Sequence, residues 1–296
     1  MQIVKERAYA KINLFLDVLS RREDGFHDIR SVMHTVSLYD EVTVQRTDAP
    51  KRRITITVEN APYVPADSRN LAYRAAELFL DRGEYTDAID IHLVKSIPTA
   101  AGMAGGSSDA AAVLRAMNRM YKRPFSQKLL LQLAAELGSD VPYCLLGHTA
   151  LCEGRGERMQ PLPAPRDVTF VVACGDERIS AKAAYEALDG LYRNFDGSVP
   201  TGGSEAYGAL TAWLLGQAGL PTALFNVFEE AVLPQCPCAE RIKACLLSHG
   251  AHAALLSGSG PSVFGIFSSK GAAARAVEDL LSRGIRAYAV DTVDPI

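Results

Sequence analysis

Pro98-Thr99-Ala100-Ala101-Gly102-Met103-Ala104-Gly105-Gly106-Ser107-Ser108-Asp109-Ala110-Ala111-Ala112 is the stretch on which the reading of this chain turns. It follows Ile89-Asp90-Ile91-His92-Leu93-Val94, where apolar residues alternate as in a half-buried strand. It runs into Ala110–Tyr121, rich in Ala, Leu, Met and Arg, which reads as a helix. A loop of small residues between strand and helix lets a ligand approach the backbone. Gly102, Gly105 and Gly106 carry no Cβ and leave amide N–H groups open. The helix start adds unpaired N–H groups and the positive end of a dipole, a setting for an anion. Ser107 and Ser108 are placed to cap the helix or to bond a phosphate. The stretch therefore reads as a phosphate-binding loop for a nucleotide; a glycine-rich turn packed on a neighbouring helix is the alternative. No Gly-Lys-Ser/Thr closes it and the Gly-x-Gly-x-x-Gly spacing is absent, so it is neither a Walker A loop nor a Rossmann fingerprint.

Outward from the loop, strands and helices alternate without repeats or low-complexity tracts. Ile54–Val58 reads as a strand and Asn70–Asp81 as a helix. Ser126 suits the N-cap of a helix over Gln127–Leu137, and Gly138 suits its C-terminal stop. Leu162-Pro163-Ala164-Pro165 reads as a linker, because two prolines end regular structure there. Beyond it come a buried strand (168–174), helices (181–188 and 204–216), a strand (263–267), a helix (271–281) and a last strand (286–290). Residues 197–204, Gly-Ser-Val-Pro-Thr-Gly-Gly-Ser, read as a mobile loop. The pattern predicts two α+β domains.

With 296 residues, 48% hydrophobic and 22% charged, the chain has a globular composition. A net charge of −3 gives no basis for a nucleic-acid or anionic-membrane partner. No apolar run reaches membrane-spanning length, and Lys5, Glu6 and Arg7 follow the first residues too soon for a signal-peptide core. The expected location is cytoplasmic. Of six cysteines, only Cys236 and Cys238 are closely spaced, with no second pair at zinc spacing, so buried free thiols and no metal site are expected.

The string Pro-x-x-x-Gly-Met-x-Gly-Gly-Ser-Ser-x-Ala-Ala resembles the ATP loop of the GHMP kinase superfamily. Leu is usual in that family at Met103 and Gly at Ala101 and Ala104; both alanines are expected at negative φ. Three further segments narrow the resemblance: Ala10-Lys11-Ile12-Asn13-Leu14 followed by Asp24-Gly25-Phe26-His27; Gly138-Ser139-Asp140-Val141-Pro142 leading to Gly154-Arg155-Gly156-Glu157; and Ser257-Gly258-Ser259-Gly260-Pro261. In this order, over about residues 7 to 267, they resemble the family of 4-diphosphocytidyl-2-C-methyl-D-erythritol kinases. The resemblance implies an α+β GHMP kinase fold, with a ribosomal-protein-like α/β domain over residues 1–163 and a ferredoxin-like domain over 164–296. It implies an ATP- and Mg²⁺-dependent transfer to the 2-hydroxyl of a cytidine diphosphate-linked methylerythritol, in non-mevalonate isoprenoid precursor synthesis.

The residues support roles of their own. Asp140, just past a helix end, offers a carboxylate to accept a hydroxyl proton, or is a turn Asp bonded to its own backbone. Strand alternation puts Lys11, Asn13 and Phe15 on one face. A lysine there either balances developing charge or snorkels to the surface. The resemblance implies Lys11 and Asp140 as catalytic, Asn13 as orienting the substrate, Phe26 and His27 as holding cytosine, and Tyr185 as a second stacking ring. It implies Asn70, Lys95 and each residue of Pro98–Ser108 at the ATP. Asn226-Val227-Phe228-Glu229 departs from the family's Asn-Asp-Leu-Glu, and Ala181 replaces a hydroxyl residue. Two other readings stay open: another GHMP small-molecule kinase, or a catalytically silent ligand sensor on the same fold.

Overall fold

A computed structural model describes residues 2–48, 51–192 and 202–293. Its first half comprises β1 (Gln2–Arg21), β2 (His27–Thr47), β3 (Arg53–Glu59), α1 (Leu71–Gly83), β4 (Ala88–Val94), α2 (Gly105–Met120), α3 (Gln127–Leu137), α4 (Val141–Leu146), β5 (Thr149–Gly154) and β6 (Arg158–Leu162). The second half comprises β7 (Thr169–Cys174), α5 (Ala181–Leu191), α6 (Gly202–Leu214), β8 (Phe225–Asn226), α7 (Phe228–Val232), a 3₁₀ turn (Leu233–Gln235), α8 (Pro237–Ser248), β9 (Ala253–Leu256), β10 (Val263–Phe267), α9 (Lys270–Ser282) and β11 (Arg286–Val290).

The long antiparallel hairpin β1–β2 is the spine of the first sheet, ordered β3-β4-β2-β1-β8. The later half of β2 pairs with β4, and its earlier half pairs with β5, which carries β6. One face of this sheet buries Leu16, Val18, Val42 and Leu93 against Phe79 of α1, Leu114 and Met117 of α2 and Leu133 of α3. The other face buries Ala10, Ile12, Leu14 and Val32 against Phe170 and Val172 of β7 and Phe264 and Ile266 of β10. The second sheet, β11-β7-β10-β9, is antiparallel throughout, and with its helices gives the ferredoxin-like arrangement.

Several local expectations change. Helix α2 starts at Gly105, five residues before Ala110, so Ser107 and Ser108 lie inside its first turns rather than at its cap. The N-cap is Ala104, at φ 58°, and Ala100 sits at φ 55°; the negative φ expected of Ala104 is therefore wrong. The loop must turn sharply there, and alanine is the smallest residue that bears the strain. Phe15 does not share the face of Lys11 and Asn13. A register shift between Asn13 and Phe15 reverses the alternation, so Phe15 joins Ile12 and Leu14 in the inter-sheet core while Leu16 turns toward the helices. Residues 202–204 open α6 instead of extending a loop; 197–201 lie outside the described residues. Ser126 caps α3, accepting from the Leu129 N–H at 3.3 Å, and Gly138 ends it.

Two devices hold the loop over residues 98–104. The first is close backbone approach. A Cβ on Gly102, at φ +76°, would sit 2.1 Å from the Ser257 carbonyl oxygen; one on Gly258 would sit 2.9 Å from the Gly102 carbonyl oxygen. Ser257 Oγ donates to the Gly102 carbonyl at 3.2 Å, and the Ser262 N–H donates to the Ala101 carbonyl at 3.3 Å. The second is a buried ionic triad, in which Lys95, just past β4, pairs with both Asp40 of β2 and Asp109 of α2. Asp40 also accepts from the N–H groups of Ser96 and Ile97. Two carboxylates against one ammonium leave the triad one negative charge in excess. Burial pushes the Asp109 pKa up to about 7, with Lys95 opposing and Asp40 reinforcing. Burial disfavours the Lys95 ammonium, but the two carboxylates outweigh it and hold its pKa above the ordinary lysine value.

Both devices make predictions. G102A forces a Cβ into backbone in a left-handed conformation and should lower unfolding free energy by roughly 3 kcal/mol; an unchanged urea midpoint would refute the loop contact. Because the folded chain binds the Asp109 proton more tightly than the unfolded chain, the contribution of this group is greatest below the unfolded value of 3.8 and is lost as pH rises to about 7. D109N should flatten the pH dependence of stability over that window, read from urea midpoints; an identical slope in the variant overturns the assignment.

Candidate active site

Lys11 and Asn13 project from β1 into a cavity of about 890 Å³, open between the two halves of the molecule. Both are buried. Lys11 Nζ donates to Asn13 Oδ1 at 2.6 Å, Asn13 Nδ2 donates to Ser31 Oγ at 2.8 Å, and Ser31 Oγ donates to the Phe15 carbonyl at 2.7 Å. The carbonyl only accepts, so the chain has one direction, and it fixes the amide of Asn13 and the ammonium of Lys11. The Lys11 N–H donates to the Met103 carbonyl at 3.2 Å, tying the strand to the loop. Ser31 was not singled out in the sequence; only the β1–β2 pairing brings it to Asn13.

Asp140 faces the same cavity from the N-cap of α4, and its side chain makes no capping hydrogen bond. The turn-Asp alternative therefore fails, and the carboxylate is available to a ligand. After burial, Asp140's charge pushes the neighbouring Cys144 and Cys152 thiols up, each to about 12, while Lys11 pulls both down. The two opposite charges thus act on one wall of the cavity.

The far end of the cavity is the turn between β1 and β2 with α5 opposite. His27 is buried, its Nε2 lies 2.8 Å from Asp189 Oδ1, and its ring stacks on Tyr185 at 4.6 Å and 22°. Tyr185 in turn meets Phe228 edge-on at 4.8 Å. Phe26 is 46% exposed, with the Arg155 guanidinium 3.5 Å from its ring centroid. Arg21, Arg155 and Lys182 line the cavity with Lys11, and Asp140, Glu186 and Asp189 line it too, so its wall carries both signs of charge. Asp189 lies 162 residues from His27 and gave no sequence signal. Arg155 stood in a quoted motif, but its stacking on Phe26 was not legible.

A second cavity, about 360 Å³, lies on the other side of the loop. Asn70, Lys95, Pro98, Thr99, Ala101, Gly105 and Gly106 line it, while Ala100, Gly102, Ala104 and Ser107 line both cavities. The open N–H groups of the first turn of α2 stand at this shared boundary, as an anion requires. Two loop residues point away: Met103 is buried in the inter-sheet core, and the buried Ser108 hydroxyl donates to the Tyr9 carbonyl. Asn70 spends its side chain on the N-cap of α1, accepting from the Ala72 N–H at 2.9 Å and donating to the Pro65 carbonyl at 2.8 Å. Lys95 is not a surface residue but the centre of the buried triad.

The departures have structural partners. Val227 is buried at the start of α7, where flanking Asn226 donates to the Leu256 and Gly258 carbonyls at 2.8 Å each and Glu229 accepts from the Leu256 N–H at 3.1 Å. Ala181 lines the large cavity behind Ser180, which caps α5.

The chain matches the GHMP kinases N terminal domain over residues 70–148 and the GHMP kinases C terminal domain over 212–286. It is 40% identical over 279 residues to the 4-diphosphocytidyl-2-C-methyl-D-erythritol kinase of Caldicellulosiruptor saccharolyticus, covering 93% of this chain and 91% of the relative. It is 42% identical over 280 residues to the same-named protein of Lachnoclostridium phytofermentans, covering 93% and 92%. A crystal structure of 4-(cytidine 5'-diphospho)-2C-methyl-D-erythritol kinase superposes with a TM-score of 0.79 at 33% identity, covering 97% and 98%. A homoserine kinase from Cytophaga hutchinsonii shares the fold, with a TM-score of 0.76 over 100% and 98% of the chains, at 21% identity. With its two domains and near-full-length similarity, this chain belongs to the 4-diphosphocytidyl-2-C-methyl-D-erythritol kinase family of GHMP kinases.

Proposed function

We propose that the protein transfers the γ-phosphoryl group of ATP to the 2-hydroxyl of 4-diphosphocytidyl-2-C-methyl-D-erythritol. The observation that carries this reading is the meeting of two cavities across one phosphate loop, with Lys11 and Asp140 in the larger. The smaller cavity receives the nucleotide, with its phosphates directed at the start of α2. The larger one, about 890 Å³, has Lys11 and Arg155 on its wall for a diphosphate-linked acceptor, and an aromatic end for its base.

In this reading Asp140 accepts the hydroxyl proton as phosphoryl transfer proceeds, its carboxylate being unengaged by the helix it starts. Lys11, fixed by Asn13, balances charge on the transferred group and on the attacking oxygen. Asn13 acts chiefly by orienting Lys11, since both ends of its amide are engaged. Phe26 and His27 take the base, and Asp189 holds the imidazole in place. Most of the rate gain is positioning, because no covalent intermediate is needed.

Mg²⁺ suits the donor set beside the loop. Asp109 Oδ1 is buried without a hydrogen-bond partner, Asp109 lines the nucleotide cavity, and the Ser107 side chain lies at the boundary of the two cavities. Asp109 and Ser107 are the hard oxygen donors that would hold this ion with phosphate oxygens, and it would supply charge neutralisation there.

ADP release from Mg·ATP, with the cytidine diphosphate-linked methylerythritol, mevalonate and homoserine as acceptors, tests the assignment. Turnover is expected with the first alone. ATP binding without turnover of any acceptor would favour the sensor reading, and turnover of mevalonate or homoserine would favour another GHMP activity. D140N should lower kcat by about 10²–10⁴ while ATP still binds; normal turnover removes Asp140 as the base. F26A should raise KM for the cytidine substrate with kcat nearly unchanged, and an unaltered KM takes Phe26 out of the site.

A further inference from the structure

Away from both cavities, Cys245, His249 and Asp279 bring a thiol, an imidazole and a carboxylate within 4.8 Å of one another. None of the three lines the large cavity or the nucleotide cavity. Cys245 is in the last turn of α8 and His249 caps its end; Asp279 is in the last turn of α9. Two helix C-termini therefore meet here, and their dipoles favour positive charge.

The three groups are bonded to one another at separations that a shared ion also sets. Cys245 Sγ donates to Asp279 Oδ2 at 3.3 Å and His249 Nε2 is 3.6 Å from the same oxygen. A tetrahedral zinc with ordinary Zn–S, Zn–N and Zn–O bonds sets its ligand atoms roughly 3.3–3.6 Å apart. The supporting shell is also built. His249 Nδ1 lies 2.9 Å from the Cys245 carbonyl oxygen, which only accepts, so Nδ1 carries the hydrogen and the Nε2 lone pair faces Asp279. Arg283 donates to both oxygens of Asp279, at 2.9 and 2.7 Å, and fixes the carboxylate. Cys245 and Arg283 line a cavity of about 230 Å³, which gives an entry path and room for water as a fourth ligand.

We propose that Cys245, His249 and Asp279 form a binding site for a zinc-class divalent cation that clamps α8 to α9. Binding forms bonds from Sγ, Nε2 and a carboxylate oxygen to the metal, and the Cys245 thiol proton passes to solvent. The mixed sulfur–nitrogen–oxygen donor set selects Zn²⁺ over Mg²⁺ or Ca²⁺. The clamp lies behind β9, which leads into the Ser257–Gly260 turn, so it stiffens the support of the phosphate loop without touching ligand.

The test is anaerobic titration of the reduced full chain with Co²⁺ alone, followed by displacement with Zn²⁺. The expected result is one Co²⁺ per chain, with thiolate-to-cobalt charge-transfer absorption and the intense visible bands of a tetrahedral site, removed by Zn²⁺. C245S should abolish the charge-transfer band, and H249A and D279N should each weaken binding at least tenfold. Zn²⁺ should raise the melting temperature of the wild-type chain and not that of H249A. Absence of the band, its persistence in C245S through Cys236 or Cys238, or unchanged affinity in both H249A and D279N would each overturn the proposal.

Discussion

The structure depends on one backbone contact, between the Gly102 turn of the first half and the Ser257–Gly260 turn of the second. At 2.1 Å from where a Gly102 Cβ would stand, the Ser257 carbonyl leaves room for hydrogen alone. The same approach sets the wall between the two cavities, because Gly102 lines both and Gly258 closes one. The hydrogen bonds around it explain otherwise scattered residues. Asn226 and Glu229 hold the strand end before the turn, and Lys11 receives the loop from the other side through Met103. Lys11 and the Gly102 loop thus share one frame, which suits the positioning role proposed for them.

The frame also explains how the loop tolerates its charge. A buried carboxylate at the start of α2 is costly unless paired. Lys95 pairs with Asp109 but must also serve Asp40, which is committed to two backbone N–H groups. The excess negative charge lies beside the smaller cavity, which Lys95 and Asp109 both line.

Elements with a strict period were legible. The strand over 286–290 and the Ser126-capped helix follow from alternation and capping, and the strand over 263–267 from a short apolar run. The small-residue loop between a strand and a helix was legible as a loop, although the helix begins at Gly105 rather than at Ala110. What stayed hidden is tertiary. The register shift at Asn13–Phe15 costs one residue of alternation, and periodicity cannot see it. The inward turn of Ser108 depends on β1 passing beneath α2. Ala104 at positive φ ran against its propensity because the loop, held at Gly102, fixes the path of the chain.

The Phe26–His27 end of the large cavity shows the same limit. Phe26 has no polar tip, yet Arg155 lies over its ring and brings donors to the cavity that both residues line. A guanidinium stacked on an exposed ring keeps its hydrogen-bonding edge free while the ring shields its face. His27 is treated in the opposite way, buried against Tyr185 and tied to Asp189 of α5, so its geometry depends on the second half of the chain being in place. Phe26 is therefore an adaptable surface and His27 a fixed one. In the proposed reading, recognition that needs a defined hydrogen-bonding edge falls to the residue anchored from both sides of the cavity.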